Sequence, residues 1–196
     1  MRYRTVFTWL LLLVALPQLG GCFLAIAGGA VVGAGAAHDR RGVGTYVDDK
    51  RIYLGAYDSI NKDKEIALKN NVGIVVYDGV MLLVGEVRTA ELKQRAERLV
   101  SGFEGTRRIV DEIEVREPEG FWSRRHDNTT TLRVKTALLD LTSLPGFDPT
   151  RVNVTTAHQV VYLMGRVSHE EDTAVTGIAR EVGGVERVVK AFEYTD

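Results

Sequence analysis

The feature that most constrains this chain is an internal repeat. The segment VGIVVYDGVMLLVGEV at 72–87 aligns position by position with the segment VNVTTAHQVVYLMGRV at 152–167, and the alignment continues beyond them with the second copy one residue shorter. Because a repeat of this length is one folded unit that has been duplicated, we expect two copies of one small domain. The identical pairs are Val72/Val152, Val80/Val160, Leu83/Leu163, Gly85/Gly165, Val87/Val167, Gly105/Gly184, Arg108/Arg187, Val110/Val189 and Glu114/Glu193.

A β-hairpin is predicted at the centre of each copy. In the first copy, the β-rich runs 72–77 and 80–87 flank Asp78-Gly79, which favours a two-residue turn with positive φ at both positions. His158-Gln159 occupies the same place in the second copy, so that hairpin is predicted from the strand pattern alone.

Apolar residues at helical spacing predict one helix before and one helix after each hairpin. A third strand is predicted at 109–115 and at 188–194, after a glycine that ends the second helix, Gly105 or Gly184. The fold class is therefore α+β, with two tandem αββαβ domains, each a three-stranded sheet packed on two helices. Domains of about 65 residues are marginal alone, so we expect the copies to pack on each other or to be stiffened by their linker. The helix-forming positions are Ile52, Ala56, Ile60, Leu92, Ala96, Leu99, Val100 and Phe103, then Thr130, Val134, Leu138, Val175, Ile178, Ala179 and Val182.

The N-terminal segment 1–21 has the composition of a secretory signal peptide. Arg2 and Arg4 precede an apolar core from Val6 to Leu16, which Pro17 interrupts. As a helix this core rises only about 17 Å, too little for a hydrocarbon core of about 30 Å.

The sequence Leu-Gly-Gly-Cys at 19–22 resembles the bacterial lipobox. That resemblance implies cleavage before Cys22 and attachment of diacylglycerol and usually a third acyl chain to it; two or three chains anchor a protein stably. The alternative is an ordinary buried cysteine in an uncleaved anchor. Phe23 follows the cysteine where retained lipoproteins carry Asp, which implies the outer membrane. Residues 22–45 are predicted to be the lipidated cysteine and an apolar, glycine-rich tether, although Gly29 and Gly33 could instead let membrane helices approach closely.

Composition excludes several classes of function. Removal of 1–21 leaves enough chain for one ordinary domain or two small ones. It also leaves 23 basic side chains (25 minus Arg2 and Arg4) against 26 acidic ones, a net charge of -3. We therefore expect no nucleic-acid partner. The only cysteine is assigned to lipid, so no disulfide is predicted.

Catalytic and metal-binding motifs are not found in the sequence. The four histidines lack metal-ligand spacing, and no glycine-rich loop joins a strand to a helix in the pattern that cradles phosphate. Thr129 to Thr131 suit a helix N-cap and need no nucleophilic role. We predict a protein that is not an enzyme and that uses no cofactor or metal.

The order of elements and two short motifs resemble the BON domain. The motifs are MLLVGEV with EGTRRIV in the first copy and VYLMGRV with GGVERVV in the second. Two such domains behind a lipobox resemble the dual-BON-domain outer-membrane lipoproteins of Gram-negative bacteria. The resemblance implies domains at 46–117 and 129–196, a linker at 118–128, and a lipid-anchored, periplasm-facing protein that binds anionic phospholipid through its second BON domain and helps maintain envelope integrity.

The segment EGFWSRRHDNTTTLRVK at 119–135 is the candidate lipid-binding site. Trp favours the headgroup layer, and each basic residue near an anionic surface contributes about 1 kcal/mol. In the alternative interpretation the two aromatic residues pack between the domains and the arginines are merely solvated. A competing function is a protein-binding adaptor for outer-membrane assembly or cell-wall remodelling machinery, which predicts exposed apolar residues away from 119–135. The candidate residues are Phe121, Trp122, Arg124, Arg125, Leu132, Arg133 and Lys135.

Overall fold

The computed structural model describes residues 41–118 and 120–196, except the side chains of residues 121–124. The predicted signal peptide, Cys22 and most of the predicted tether lie outside these residues. Arg40–Asp196 forms one compact unit, which contains both copies of the repeat. None of the helices described is both long and apolar enough to cross a membrane.

The first copy folds in the predicted order, with one additional short helix. Its strands form a sheet in the order β1-β2-β3, in which β1 and β2 are antiparallel and β2 and β3 are parallel. Asp63 ends the first helix and accepts hydrogen bonds from the backbone amides of Glu65 and Ile66, which starts the short helix that the sequence pattern did not predict. The elements are α1 (Val43–Lys62), α2 (Lys64–Lys69), β1 (Asn71–Tyr77), β2 (Val80–Val87), α3 (Ala90–Val100) and β3 (Arg108–Val115).

The second copy repeats this topology, with a sheet in the order β4-β5-β6. Two 3₁₀ turns, Leu138–Ser143 and Pro149–Arg151, join its first helix to its first strand. In both copies the second helix ends before the predicted glycine, and Gly105 and Gly184 lie in the turn to the last strand with φ of +90° and +97°. The elements are α4 (Phe121–Ala137), β4 (Asn153–Ala157), β5 (Val160–Val167), α5 (His169–Glu181) and β6 (Arg187–Tyr194).

The first helix of the second copy starts earlier than predicted. Residues 121–128, expected to belong to the linker, are helical, and Thr129 to Thr131 lie inside α4 instead of capping it. Threonine is a weak helix former, but the tertiary contacts of this helix override that preference. Thr129 Oγ1 donates to the carbonyl of Arg125 at 3.0 Å, so its hydroxyl is satisfied within the helix.

Side chains on the two faces of each sheet pack against different partners. In β2, Met81 and Leu83 face the helices of their own copy, whereas Leu82 and Val84 face the other copy. The Arg40–Asp196 unit is therefore a four-layer arrangement of helices, sheet, sheet and helices, which confirms that the copies pack on each other. The core between the sheets consists of Tyr77, Val80, Leu82, Val84, Val160, Tyr162, Met164 and Ala191.

Polar groups inside this interface are paired across it. The Nε2 atom of His158 lies 2.6 Å from Oε1 of Glu86, and both side chains are less than a tenth exposed. Asn71 donates its side-chain amide to the other carboxylate oxygen of Glu86 at 3.1 Å. Tyr162 is 2% exposed, and burial raises the pKa of its phenol to about 12. The centre of the interface thus combines apolar packing with a paired buried carboxylate.

One aspartate in each copy fixes the hairpin to the first helix. Asp49 in α1 accepts hydrogen bonds from the backbone amides of Asp78 and Gly79 at 2.7 and 2.8 Å. Asp127, its counterpart in α4, accepts from His158 and Gln159, both at 3.0 Å. His158 and Gln159 have φ of 51° and 59°, which costs free energy for residues with a side chain, and the carboxylate offsets this strain.

Candidate functional site

Helix α4 presents one face to the core and the other to solvent. Asp127, Thr130 and Val134 are buried at helical spacing, and the adjoining Leu138 continues this face. Four of the predicted lipid-binding residues are described and all four are exposed, with Leu132 at 65%. They are Arg125, Leu132, Arg133 and Lys135.

Leu132 and Lys135 line one open groove of about 400 Å³. The opposite wall comes from the 3₁₀ turn at Pro149–Arg151, and Leu139 extends the apolar floor, 54% exposed. A cation at the rim of a groove with two exposed leucines offers an ionic partner to an anionic headgroup and apolar contact to the carbon atoms beside it. The remaining residues of the groove are Thr136, Thr150 and Val152.

Two other predicted residues, Arg125 and Arg133, are described on the same helix. Arg125 shares the exposed helix face with Leu132, because seven residues make about two helical turns. Arg133 points to the opposite flank, where its Nη1 lies 3.4 Å from the carbonyl oxygen of Gly183. The side chains of Phe121, Trp122 and Arg124 lie outside the described part of the chain.

The sequence pattern did not predict that Leu139 and the turn residues belong to the groove. Leu139 stands seven residues after Leu132, so helical periodicity continued past the predicted helix would have found it. The contribution of Pro149–Arg151 had no local signal, because its position depends on packing between two connecting turns.

Helix α1 of the first copy has a second exposed apolar face. Val43, Val47, Leu54 and Tyr57 are each more than half exposed, with Leu54 at 61%. Leu54 is the counterpart of Leu132 in the alignment of the two first helices. Both copies therefore expose a leucine at the same place on their first helix.

A buried charged cluster in the second copy has a structural explanation. Asp172 is 6% exposed and accepts hydrogen bonds from Lys190 Nζ, Tyr194 Oη and Thr176 Oγ1 at 2.8–2.9 Å. Burial opposes its ionisation, but the hydrogen bonds from Lys190, Tyr194 and Thr176 outweigh burial and lower the pKa of Asp172. The same contacts with Asp172 raise the pKa of Lys190 and of Tyr194. These partners occupy the carboxylate, so the cluster ties α5 to β6.

The described residues contain no cluster of possible metal ligands. Within 41–118 and 120–196, no group of three or more His, Cys, Asp or Glu side chains could hold a metal ion. The described surface has exposed leucines beside cations on the first helix of each copy. The fold defines a tandem-repeat α+β protein whose two copies each expose apolar side chains on their first helix.

Residues 48–117 and 126–196 each match the BON domain, and the chain belongs to the BON domain family. It is 32% identical over 186 residues to the outer membrane lipoprotein DolP of Haemophilus influenzae, covering 95% of each chain. This similarity confirms the predicted class, a dual-BON-domain outer-membrane lipoprotein, and its predicted localisation.

Two further similarities are more distant. The chain is 31% identical over 156 residues to the 21 kDa hemolysin of Actinobacillus pleuropneumoniae, covering 80% of this chain and 79% of that protein. A structure of CdsD, a structural protein of the type III secretion system of Chlamydia trachomatis, is 13% identical, with a TM-score of 0.29, over 74% of this chain and 63% of that one. That score supports no argument about fold or function.

Proposed function

We propose that this outer-membrane lipoprotein is not an enzyme, that it binds anionic phospholipid through α4 of its second BON domain, and that it helps maintain envelope integrity. The observation that supports the proposal is the groove in which exposed Leu132, Leu139 and Lys135 lie together. The similarity to an outer membrane lipoprotein over nearly the whole chain supports the envelope role.

The contact needs little intrinsic affinity. Each basic residue near an anionic membrane surface contributes about 1 kcal/mol, and α4 has Arg125, Arg133 and Lys135 on or beside its exposed face. The acyl anchor predicted at Cys22 raises the effective concentration of the domain at the membrane. Anchor and helix then act together without a deep binding pocket.

Cosedimentation with vesicles tests this site. The Arg40–Asp196 unit contains all three apolar cores and has no acyl chains, so its binding to phosphatidylglycerol vesicles reports the protein surface alone. Replacing both Arg125 and Lys135 with Gln should weaken binding about 30-fold, the equivalent of two cations at about 1 kcal/mol each. Arg180→Gln, an exposed cation on α5, is the matched control and should change binding by less than about twofold.

A second comparison addresses the segment whose side chains are not described. Trp122→Ala combined with Arg124→Glu and Arg125→Glu should abolish cosedimentation, because it removes the interfacial aromatic residue and reverses two charges. Wild-type binding by this variant and by the double Gln variant would refute the placement of the site on α4.

The adaptor hypothesis is the second candidate, and α1 supplies the observation that favours it. Its exposed face of Val43, Val47, Leu54 and Tyr57 lies away from 119–135, as a protein-binding module would require. A lipid-free pull-down from envelope extract should then retain a protein partner that Leu54→Glu releases. Retention of no partner would argue against the adaptor.

A further inference from the structure

Lys50 lies at the centre of the exposed face of α1 and has unusual neighbours. The residues three and four positions away on either side, which are its neighbours on a helix surface, are Tyr46, Val47, Tyr53 and Leu54. Its Nζ lies 5.7 Å from the ring centre of Tyr46 and 5.9 Å from that of Tyr53. An exposed cation surrounded by tyrosine and aliphatic side chains has the composition of a membrane-interface anchor.

A crevice of about 250 Å³ opens beside this lysine. Helix α1 and strand β1 form two of its walls, and Asn153 of the second copy contributes an amide. At its base, Nη1 of Arg41 lies 2.6 Å from Oδ2 of Asp49. The Cζ atom of the same guanidinium lies 3.9 Å from the ring centre of Tyr77. The charged residues described in its lining are Arg41, Lys50 and Asp49, which together carry one net positive charge.

The duplication supplies an internal comparison. A second crevice of about 250 Å³ lies at the equivalent place, where Asp127, Asn128, Thr155 and Thr156 stand for Asp49, Lys50, Val75 and Val76. Its charged side chains are the carboxylates of Glu86 and Asp127. The two crevices overlap in position within the repeat and have similar volumes, but among the described lining residues only the first has cations.

We propose that the first crevice, at the α1 face of the first BON domain, binds the phosphodiester of an anionic phospholipid headgroup, as a second lipid site besides the groove on α4. Lys50 supplies the charge, the amide of Asn153 donates a hydrogen bond, and Val47 and Leu54 contact the carbon atoms next to the headgroup. The membrane is the occupant because α1 is the first element of the described residues and follows the predicted lipidation site along the chain. The chain from Cys22 to Val43 spans at most about 75 Å, so α1 stays within that distance of the predicted acyl anchor.

The test compares two lysines on one helix. Lys50→Gln and Lys62→Gln remove the same charge from α1, but Lys62 lies at its other end, 2.5 Å from Asp58 and away from the tyrosines. With vesicles of equal parts phosphatidylcholine and phosphatidylglycerol, Lys50→Gln should weaken binding of the Arg40–Asp196 unit about fivefold and Lys62→Gln by less than about twofold. Equal effects of the two variants would overturn the proposal, because they would show only a diffuse charge effect.

Amide NMR shifts locate the ligand and identify its source. Shifts at Tyr46, Tyr53 and Asn153 support the proposal, since Asn153 joins this site only through the crevice. If soluble sn-glycerol 3-phosphate also causes them, the phosphate itself is recognised; if only small micelles that contain phosphatidylglycerol do, the site requires a headgroup held in a surface. No shift with either probe overturns the proposal.

Two further comparisons separate this site from its alternatives. The crevice shares no lining residue with the α4 groove, so the effect of Lys50→Gln should persist in the Arg125→Gln, Lys135→Gln background. Either site can therefore be refuted while the other stands. If Lys50→Gln keeps wild-type vesicle binding but loses a protein captured in the pull-down, the occupant is a protein and the lipid assignment is wrong.

Discussion

Replacing Gly85 with alanine should weaken the first domain by an amount that the local geometry determines. Gly85 has a φ of +105°, and a Cβ atom on it would lie 2.1 Å from the carbonyl oxygen of Asn71 on the neighbouring strand. A residue with a side chain costs about 1–3 kcal/mol at such a φ. Moving Asn71 away also loosens its hydrogen bond to buried Glu86, worth about 1 kcal/mol. We expect the free energy of unfolding to fall by about 3 kcal/mol, out of about 5–15 kcal/mol for a typical domain.

Two other glycines provide comparisons for the expected loss of stability at Gly85. Gly165 occupies the same position in the second copy, but its φ lies outside the left-handed region and its Cβ would lie 2.8 Å from the carbonyl oxygen of Arg151. Alanine there should cost less than at Gly85, about 1–2 kcal/mol, since the φ of Gly165 is not strained but the backbone oxygen of Arg151 has to move. Gly177 is exposed within α5 with no atom within 4 Å of a Cβ, so alanine should stabilise by up to about 1 kcal/mol.

Urea unfolding of the Arg40–Asp196 unit, followed by far-UV circular dichroism, measures all three variants in one assay. The expected order of stability is Gly177→Ala above wild type, then Gly165→Ala, then Gly85→Ala. A cost of less than about 1 kcal/mol for Gly85→Ala, or a cost no larger than that of Gly165→Ala, would refute the reasoning from φ and the Asn71 contact.

Three further predictions concern buried ionisable groups. Asp172→Asn should lower the free energy of unfolding at neutral pH by about 2 kcal/mol. Because hydrogen bonds lower the folded pKa of Asp172 despite burial, this contribution should disappear as the pH falls below the ordinary value of 3.8. Unfolding measured over an acid pH series, with the exposed Asp140→Asn variant as control, checks this. Tyr162 should ionise at about pH 12, so the fold should lose stability as the pH rises above the ordinary tyrosine value of 10.0, and Tyr162→Phe should remove that loss in an alkaline unfolding series. Glu86→Ala should cost about 3 kcal/mol in urea unfolding because it leaves His158 buried without its carboxylate, and a change below about 1 kcal/mol would contradict this account of the interface.

Most of the fold could be predicted from the sequence because its signals are local. The Asp78-Gly79 turn and the alternation of the strands beside it depend on neighbouring residues, and the repeat shows the same pattern twice. The start of α4 could not be predicted in this way. Its position depends on Asp127, whose hydrogen-bond partner His158 lies far along the chain, beyond the connecting turns and β4.

The candidate site shows the same limit. Leu132 and Lys135 share one side of a helix, and their spacing alone predicts that they lie close together. The wall of the groove at Pro149–Arg151 depends on how two 3₁₀ turns pack, for which periodicity gives no rule. The crevice beside Lys50 could not be predicted from the sequence either, because Asn153 lines it from the other copy.

The contact between the two sheets pairs unlike residues at equivalent positions of the repeat. Glu86 and Arg166 occupy equivalent positions of the repeat, and they pair with His158 and Asp78, which are also equivalent. Two first copies facing each other would bring Glu86 to Asp78, with like charges, and two second copies would bring Arg166 to His158, without any carboxylate. The buried Glu86–His158 pair at 2.6 Å contributes most of the preference for the unlike copy. The Arg166–Asp78 pair at 3.8 Å is partly exposed and contributes less than about 1 kcal/mol.

The sheet face of each copy is therefore specific for the unlike copy. Separating the copies would expose Leu82 and Val84 on one face and Tyr162 and Met164 on the other, all of them at most 5% exposed in the intact unit. An apolar surface of this kind associates or aggregates in water. The two BON domains consequently fold as one unit, and the helices of both lie on its outer layers, with the apolar faces of α1 and α4 exposed.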